Sequence, residues 1–132
     1  MESISLTRME NLSIEPGKFS PQIDFDGNTG NLEIKGASFM EHPLDFYDPV
    51  LSWLDQFAQQ SHPNSTLKIY LSYFNSGSSG MLYDILQLLE EKSELNPVLV
   101  EWYVDPNDEE MLAEGEEFKD CFEKLNFKII QN

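Results

Sequence analysis

Three serines lie within four residues in the stretch Asn75-Ser76-Gly77-Ser78-Ser79-Gly80. A serine hydroxyl attacks a substrate only with a base beside it, but it also accepts a phosphate from a kinase. Small residues at a helix start leave backbone N–H groups open to an anion, either bound or attached to a serine. The stretch follows an apolar run over 67–74 and opens an amphipathic one over 81–91. A strand that ends in a small-residue loop and feeds a helix is where α/β proteins place working groups. Serine and glycine are equally the ordinary residues of caps and turns. Two readings therefore stand side by side, a helix cap and a phosphate site. In the second, Ser76 carries the phosphate, Asn75 shapes the loop, and Gly77, Ser78 and Ser79 supply N–H donors.

The remaining reactive side chains do not assemble into a catalytic pattern. His42 and His62 each occupy a Pro-containing loop with no partner identifiable in the sequence. The segment Gly77-Ser78-Ser79-Gly80 is neither a nucleophile elbow nor a phosphate-binding P-loop, because the Gly-Lys-Ser/Thr ending is missing. Cys121 is the single cysteine and sits among acids on an apolar helix face, so it is expected to be an inert core thiol. Asp105, Asn107, Glu109 and Glu116 mimic the spacing of a calcium loop, but Glu110 stands where such a loop requires glycine. No enzyme, metal or cofactor is expected. A metal- or small-molecule-binding domain built on 105–116 is kept only as an alternative of another class.

These residues need a scaffold, and the apolar spacing supplies one. Leu12-Ser13-Ile14 reads as a short edge strand broken by Pro16-Gly17. Residues 22–26 and 31–35 alternate, with Gly27-Asn28-Thr29-Gly30 as turn material between them, which predicts a β-hairpin. Residues 36–43 then read as a connection. Asp48-Pro49 resembles a cap followed by proline at the first helical position, predicting a helix over 49–60. Residues 67–74 form a β-rich run, and 81–91 carry a broad apolar stripe. Residues 98–104 are nearly without polar side chains, predicting a parallel core strand buried on both faces. Asp105 to Asp108 is a turn and cap before a third helix with an acidic outer face. Residues 127–130 close the chain as a strand. Phe39, Phe46, Tyr47 and Trp53 are expected mostly in the core. Strand–helix–strand units of this size imply right-handed crossovers in a mixed sheet.

At 132 residues the chain is expected to be one domain over 9–132 behind a loose tail over 1–8. Eight basic residues against 24 acidic ones give a formal charge of −16. Such a surface repels nucleic acid and anionic membranes, which are bound mainly through Lys and Arg. The excess peaks between Glu101 and Glu123, where ten acids face the single Lys119. Asp108, Glu109, Glu110 and Glu116 are the candidates there for steering a basic partner. No apolar run approaches the ~20 residues of a membrane span, and no secretory signal is legible, so a reducing cytoplasm is the expected location.

Several segments together resemble the SiaC family of bacterial regulatory phosphoproteins. They are Asn11-Leu12-Ser13-Ile14-Glu15, Pro21 to Asp26, Gly30 to Gly36 with Ser38-Phe39, Phe46-Tyr47-Asp48-Pro49, Trp53-Leu54, Tyr73-Phe74-Asn75-Ser76, Trp102-Tyr103-Val104-Asp105, Asp108 to Leu112, and Gly115-Glu116. The resemblance implies an α/β fold, a single STAS-like domain with a mixed β-sheet, an N-terminal β-hairpin and about three helices. It also implies no catalysis. Members are switched by a dedicated Ser/Thr kinase and a PP2C-type phosphatase, and the unphosphorylated protein activates a diguanylate cyclase. The family's acceptor follows the Asn of this loop, which here makes Ser76 the acceptor, with Ser78 and Ser79 as alternatives. The family loop is usually richer in Ser/Thr and often ends in Lys, whereas this chain has Gly77 and Gly80. An output other than a cyclase, such as sequestering an anti-sigma kinase, fits the same fold.

Overall fold

Alternating apolar residues dictate the sheet. The computed structural model describes residues 9–62 and 64–132; the tail expected over 1–8 lies outside the described residues. Six strands lie side by side in the order of the chain. They are β1 (Leu12–Ile14), β2 (Gln22–Phe25), β3 (Asn31–Ser38), β4 (Ser65–Phe74), β5 (Val98–Val104) and β6 (Asn126–Gln131). β1, β2 and β3 pair antiparallel, and β3 to β6 are parallel. Three helices, α1 (Pro43–Ala58), α2 (Ser76–Glu91) and α3 (Glu109–Cys121), make the crossovers. Between β2 and β3, Asp26 Oδ1 accepts the N–H groups of Asn28 at 2.9 Å and Thr29 at 3.2 Å. Those donors hold the Asp26 carboxyl below the usual carboxylate range.

The register stacks the core in rows. Leu32, Leu67, Val100 and Phe127 are neighbours across four strands, and Ile34, Ile69, Trp102 and Ile129 form the next row. The helices cover this face with Val50, Leu54 and Phe57 of α1, Leu82, Ile85 and Leu86 of α2, and Met111 and Phe118 of α3. Trp102 is fully buried, and its Nε1 donates to Met111 O at 3.1 Å. Gly115 lets α3 lie directly on that indole: a Cβ there would come within 2.5 Å of Trp102 Cδ1.

Several boundaries differ from those the sequence suggests. α1 begins at Pro43, not at Pro49, with His42 as its N-cap and Pro49 inside the helix. The early turn is held by Tyr47, which is fully buried and packs edge-on against Phe46 with ring centroids 4.9 Å apart. That burial outweighs the hydrogen bond lost at Pro49. α2 begins at Ser76, so the small-residue stretch is its first turn rather than a loop. β3 continues to Ser38, taking three residues from the expected connection. β5 is fully buried on one face only; Leu99, Glu101 and Tyr103 are half-buried on the other. Cys121 is exposed, because α3 ends there and turns its last residue outward. Of the four aromatics expected mostly in the core, Tyr47 is buried, Phe46 and Trp53 are half-buried, and Phe39 is exposed.

One irregularity bears on the site. Gly36 pairs with Leu71, but Ala37 pairs with Tyr73, so Ser72 is an extra residue in β4. Such a bulge shifts the alternation by one. Leu71 and Phe74 consequently both turn toward the helices, and Phe74 meets Trp102 edge-on at 5.9 Å.

Gly115→Ala is expected to lower the unfolding free energy by about 1–3 kcal/mol, the usual cost of overpacking a filled core. The added methyl forces the indole away from Met111 O, which exceeds the helix-propensity gain of about 1 kcal/mol. Urea denaturation followed by tryptophan fluorescence measures it.

Candidate functional site

The candidate site is the N-terminal end of α2, at the carboxyl ends of β3 and β4. Asn75 organises it. Its φ of −89° and ψ of 176° are those of an N-cap, and its Oδ1 accepts the Ser78 N–H at 3.0 Å. Its side-chain amide donates to Met40 O at 3.3 Å, and its own N–H donates to Ser38 O at 3.1 Å. One asparagine thus ends β4, starts α2 and fastens both to the segment leaving β3. Gly77 lies against the first residue of α1, where a Cβ would stand 3.1 Å from Pro43 Cγ.

Beneath this turn, three hydroxyls form a buried chain. Ser38 Oγ lies 2.8 Å from Tyr47 OH and donates to Ser78 Oγ at 2.7 Å. All three residues are fully buried. Burial pushes the Tyr47 phenol up to about 12, with the bond to Ser38 pulling slightly the other way.

The structure separates the three serines of the stretch. Ser76 is exposed, Ser78 is buried in the hydroxyl chain, and Ser79 is half-buried. Not all the expected N–H donors are open, since Ser78 N–H is held by the Asn75 side chain and Ser79 N–H by Asn75 O at 2.9 Å. The amides of Ser76 and Gly77 remain at the mouth of the helix. The first turn of α2 contains no acid, although the chain has 24. The positive end of its dipole therefore lacks a carboxylate of its own, unlike that of α3, which has Glu109 and Glu110.

Beside Ser76 a groove of about 730 Å³ runs between α2 and α3. Ser76 and Ser79 form one wall and Asp108, Glu110, Glu114 and Glu117 the other, over a floor that includes Phe74 and Met111. Of the acids singled out in the sequence, Asp108 and Glu110 line this groove, while Glu109 and Glu116 do not. Glu114 and Glu117 were missed, although 110, 113, 114 and 117 follow the spacing of a single helix face. Asp108 also caps α3 by accepting Met111 N–H at 3.0 Å. Asp105 Oδ1 accepts Asn107 N–H at 2.9 Å, so the calcium-like spacing is a turn followed by a helix. Ser38 and Tyr47 were also missed as members of the site. Leu32, Ile34 and Ser38 are inward at even spacing, so extending β3 would have revealed the serine.

Comparison with known proteins adds to this geometry. The family profile of SiaC family regulatory phosphoproteins matches residues 14–132. An uncharacterized protein of Pseudomonas aeruginosa (strain UCBPP-PA14) is 31% identical over 115 residues, covering 86% of this chain and 91% of that protein. The solved structure of SiaC of Pseudomonas aeruginosa has a TM-score of 0.84 at 29% identity, covering 94% of this chain and 100% of that one. A chain in the crystal structure of the diguanylate cyclase SiaD in complex with its activator SiaC, from the same organism, has a TM-score of 0.85 at 29% identity. There 92% of this chain and 99% of the other are covered.

Ser38→Ala is expected to cost about 1–3 kcal/mol, because two buried hydroxyls lose a shared partner. Ser76→Ala, on the surface, should stay within about 0.5 kcal/mol of the parent; chemical denaturation compares them. The hydroxyl chain also predicts a pH dependence. The unfolded phenol ionises near 10, whereas folded Tyr47 keeps its proton to about 12. Its contribution is therefore full below pH ~10 and declines as pH rises toward 12, by up to about 2–3 kcal/mol. Tyr47→Phe should flatten that decline relative to the parent in denaturation measured from about pH 9 to 11.5.

Proposed function

This chain belongs to the SiaC family of regulatory phosphoproteins, and we propose that it is a switch set by phosphate on Ser76. It is a regulatory protein, not an enzyme. In this reading a Ser/Thr kinase phosphorylates Ser76 and a PP2C-type phosphatase reverses the step. The unphosphorylated form binds and activates a diguanylate cyclase, as the relative SiaC activates SiaD. The observation that carries the assignment is the contrast between exposed Ser76 and the buried, bonded Ser78. Ser79, half-buried in the groove wall, is the poorer substrate for a kinase that must reach the hydroxyl. The three one-sided crossover helices support a STAS-like description of the fold. The reading places the protein in the cytoplasm, where a kinase finds its ATP. Among the described residues, no helix is long and apolar enough to cross a membrane.

The charges around Ser76 indicate how the switch acts. A phosphoserine adds nearly two negative charges at neutral pH. At the start of α2 these meet the Ser76 and Gly77 amides and the unneutralised helix dipole. Across the groove they meet Asp108, Glu110, Glu114 and Glu117. A more negative groove attracts a basic partner more strongly, so charge alone runs against release. The phosphate releases the partner by occupying the groove and taking the amide donors at its mouth. The acidic wall then gives the phosphorylated protein a different preference, for the phosphatase.

Treatment with the kinase from the same gene neighbourhood should add one phosphate, read by intact mass and located by peptide sequencing at Ser76. Ser76→Ala should take none and should activate the cyclase with or without kinase. Phosphorylation of the Ser76→Ala protein, with loss of cyclase activation, would overturn the assignment. Because a carboxylate is smaller than a phosphate, Ser76→Glu should weaken cyclase binding less than phosphorylation does, measured by calorimetric titration.

A further inference from the structure

The face of the sheet turned away from the helices carries an inference independent of the switch. Parallel sheets are normally covered on both faces. Here β3 to β6 are parallel, and all three helices lie over the face that holds Trp102 and Ser38. Among the described residues no helix covers the other face, where Leu99, Tyr70, Tyr103 and Ile130 are half-buried. Tyr70 and Tyr103 stack with ring centroids 4.2 Å apart, and Lys35 Nζ lies 5.8 Å from the Tyr70 ring centroid.

The charges on this face are balanced. Asp24, Glu33, Lys68, Glu101 and Lys128 are neighbours in one row across β2 to β6. With Lys35 in the adjacent row, three acids and three lysines balance on a chain whose formal charge is −16. Two copies of the chain repel through the rest of their surfaces and meet without net charge here.

The row is also self-complementary about one axis. A two-fold axis parallel to the strands, between β4 and β5, sets Lys68 opposite the second copy's Glu101 and Glu33 opposite its Lys128. Each pair occurs twice. The same operation brings Tyr70 over Tyr103 and Thr66 over Leu99. An axis along β4 opposes Lys68 with itself and Glu33 with Glu101, and an axis across the strands opposes every residue of the row with its own kind. The second axis opposes only like charges, and the first sets just Asp24 against Lys128 beside its like-charge pairs. From this arrangement we infer that the uncovered face is a self-association surface, on which a second copy of this chain stacks sheet to sheet about the axis between β4 and β5. Four strands spaced ~4.8 Å and about five residues deep present a patch of roughly 20 by 17 Å. That is below the ~800 Å² per partner of standard interfaces, which makes this a weak, reversible contact.

Sedimentation velocity of the full chain across about 5–200 µM should show a concentration-dependent monomer–dimer equilibrium. Lys68→Glu should weaken it at least tenfold, and the charge swap Lys68→Glu with Glu101→Lys should restore it. Circular dichroism confirms the fold of each variant, and Lys128→Glu with Glu33→Lys repeats the test at the outer pair. A chain that stays monomeric throughout overturns the inference, as does a dimer insensitive to both reversals. Monomers whose uncovered face becomes protected from hydrogen exchange only with the kinase or cyclase overturn it too, and reassign the face to that partner.

Discussion

Everything at the start of α2 depends on three hydroxyls that water cannot reach. Ser38 brings the end of β3, Tyr47 the first turns of α1, and Ser78 the first turn of α2. A buried hydroxyl without a partner is costly, so the three elements hold one another in place. The bond also sets the rotation of α2. Successive residues of a helix are ~100° apart, so fixing Ser78 inward sends Ser76 to nearly the opposite side and leaves Ser79 at the flank. The exposure of one serine is thereby decided by the burial of another.

The bulge in β4 serves the same geometry from the strand side. With Ser72 inserted, Phe74 joins the covered face and reaches Trp102, and the chain arrives at Asn75 beside Ser38 O. Phe74 and Met111 then floor the groove, while Gly115 keeps α3 close enough to form its acidic wall. The packing that stabilises the domain is continuous with the packing that shapes the groove, so a core substitution at Gly115 is felt at the groove wall.

Much of this was legible in the sequence, and the reasons are physical. Residues 22–25 and 31–35 follow the two-residue period of strands, and 81–91 follow the helical period; 98–104 read as a strand from an almost unbroken apolar run, which hid that only one of its faces is fully buried. The acidic helix announced itself by the composition of its outer face. The boundaries were harder. Pro49 looked like a helix start because proline fits the first turn, and only the burial of Tyr47 reveals that the helix had already begun. Ser76 to Gly80 looked like a loop because glycine and serine are weak helix formers. Their helicity comes from the Asn75 cap and from Ser78 below, both anchored by long-range bonds to Ser38 or Met40. The same reason hid Ser38 and Tyr47, since a hydrogen bond across 40 positions leaves no local pattern. Cys121 was misplaced because the buried line of α3 runs through Met111, Gly115 and Phe118 to Phe122 and leaves Cys121 beside it, exposed.

The strand order repeats the order of the chain, and this bears on how the protein comes into being. Each new strand lies beside the one synthesised just before it, and no strand must be inserted between two already paired. Loop-closure entropy then stays modest at every step, which favours fast assembly. A nascent chain can extend the sheet one unit at a time as it leaves the ribosome. Ser78 follows Ser38 and Tyr47 in that sequence of events, so the first turn of α2 docks onto hydroxyls already in position. Ser76 is thus presented well before the acidic wall opposite it has been made.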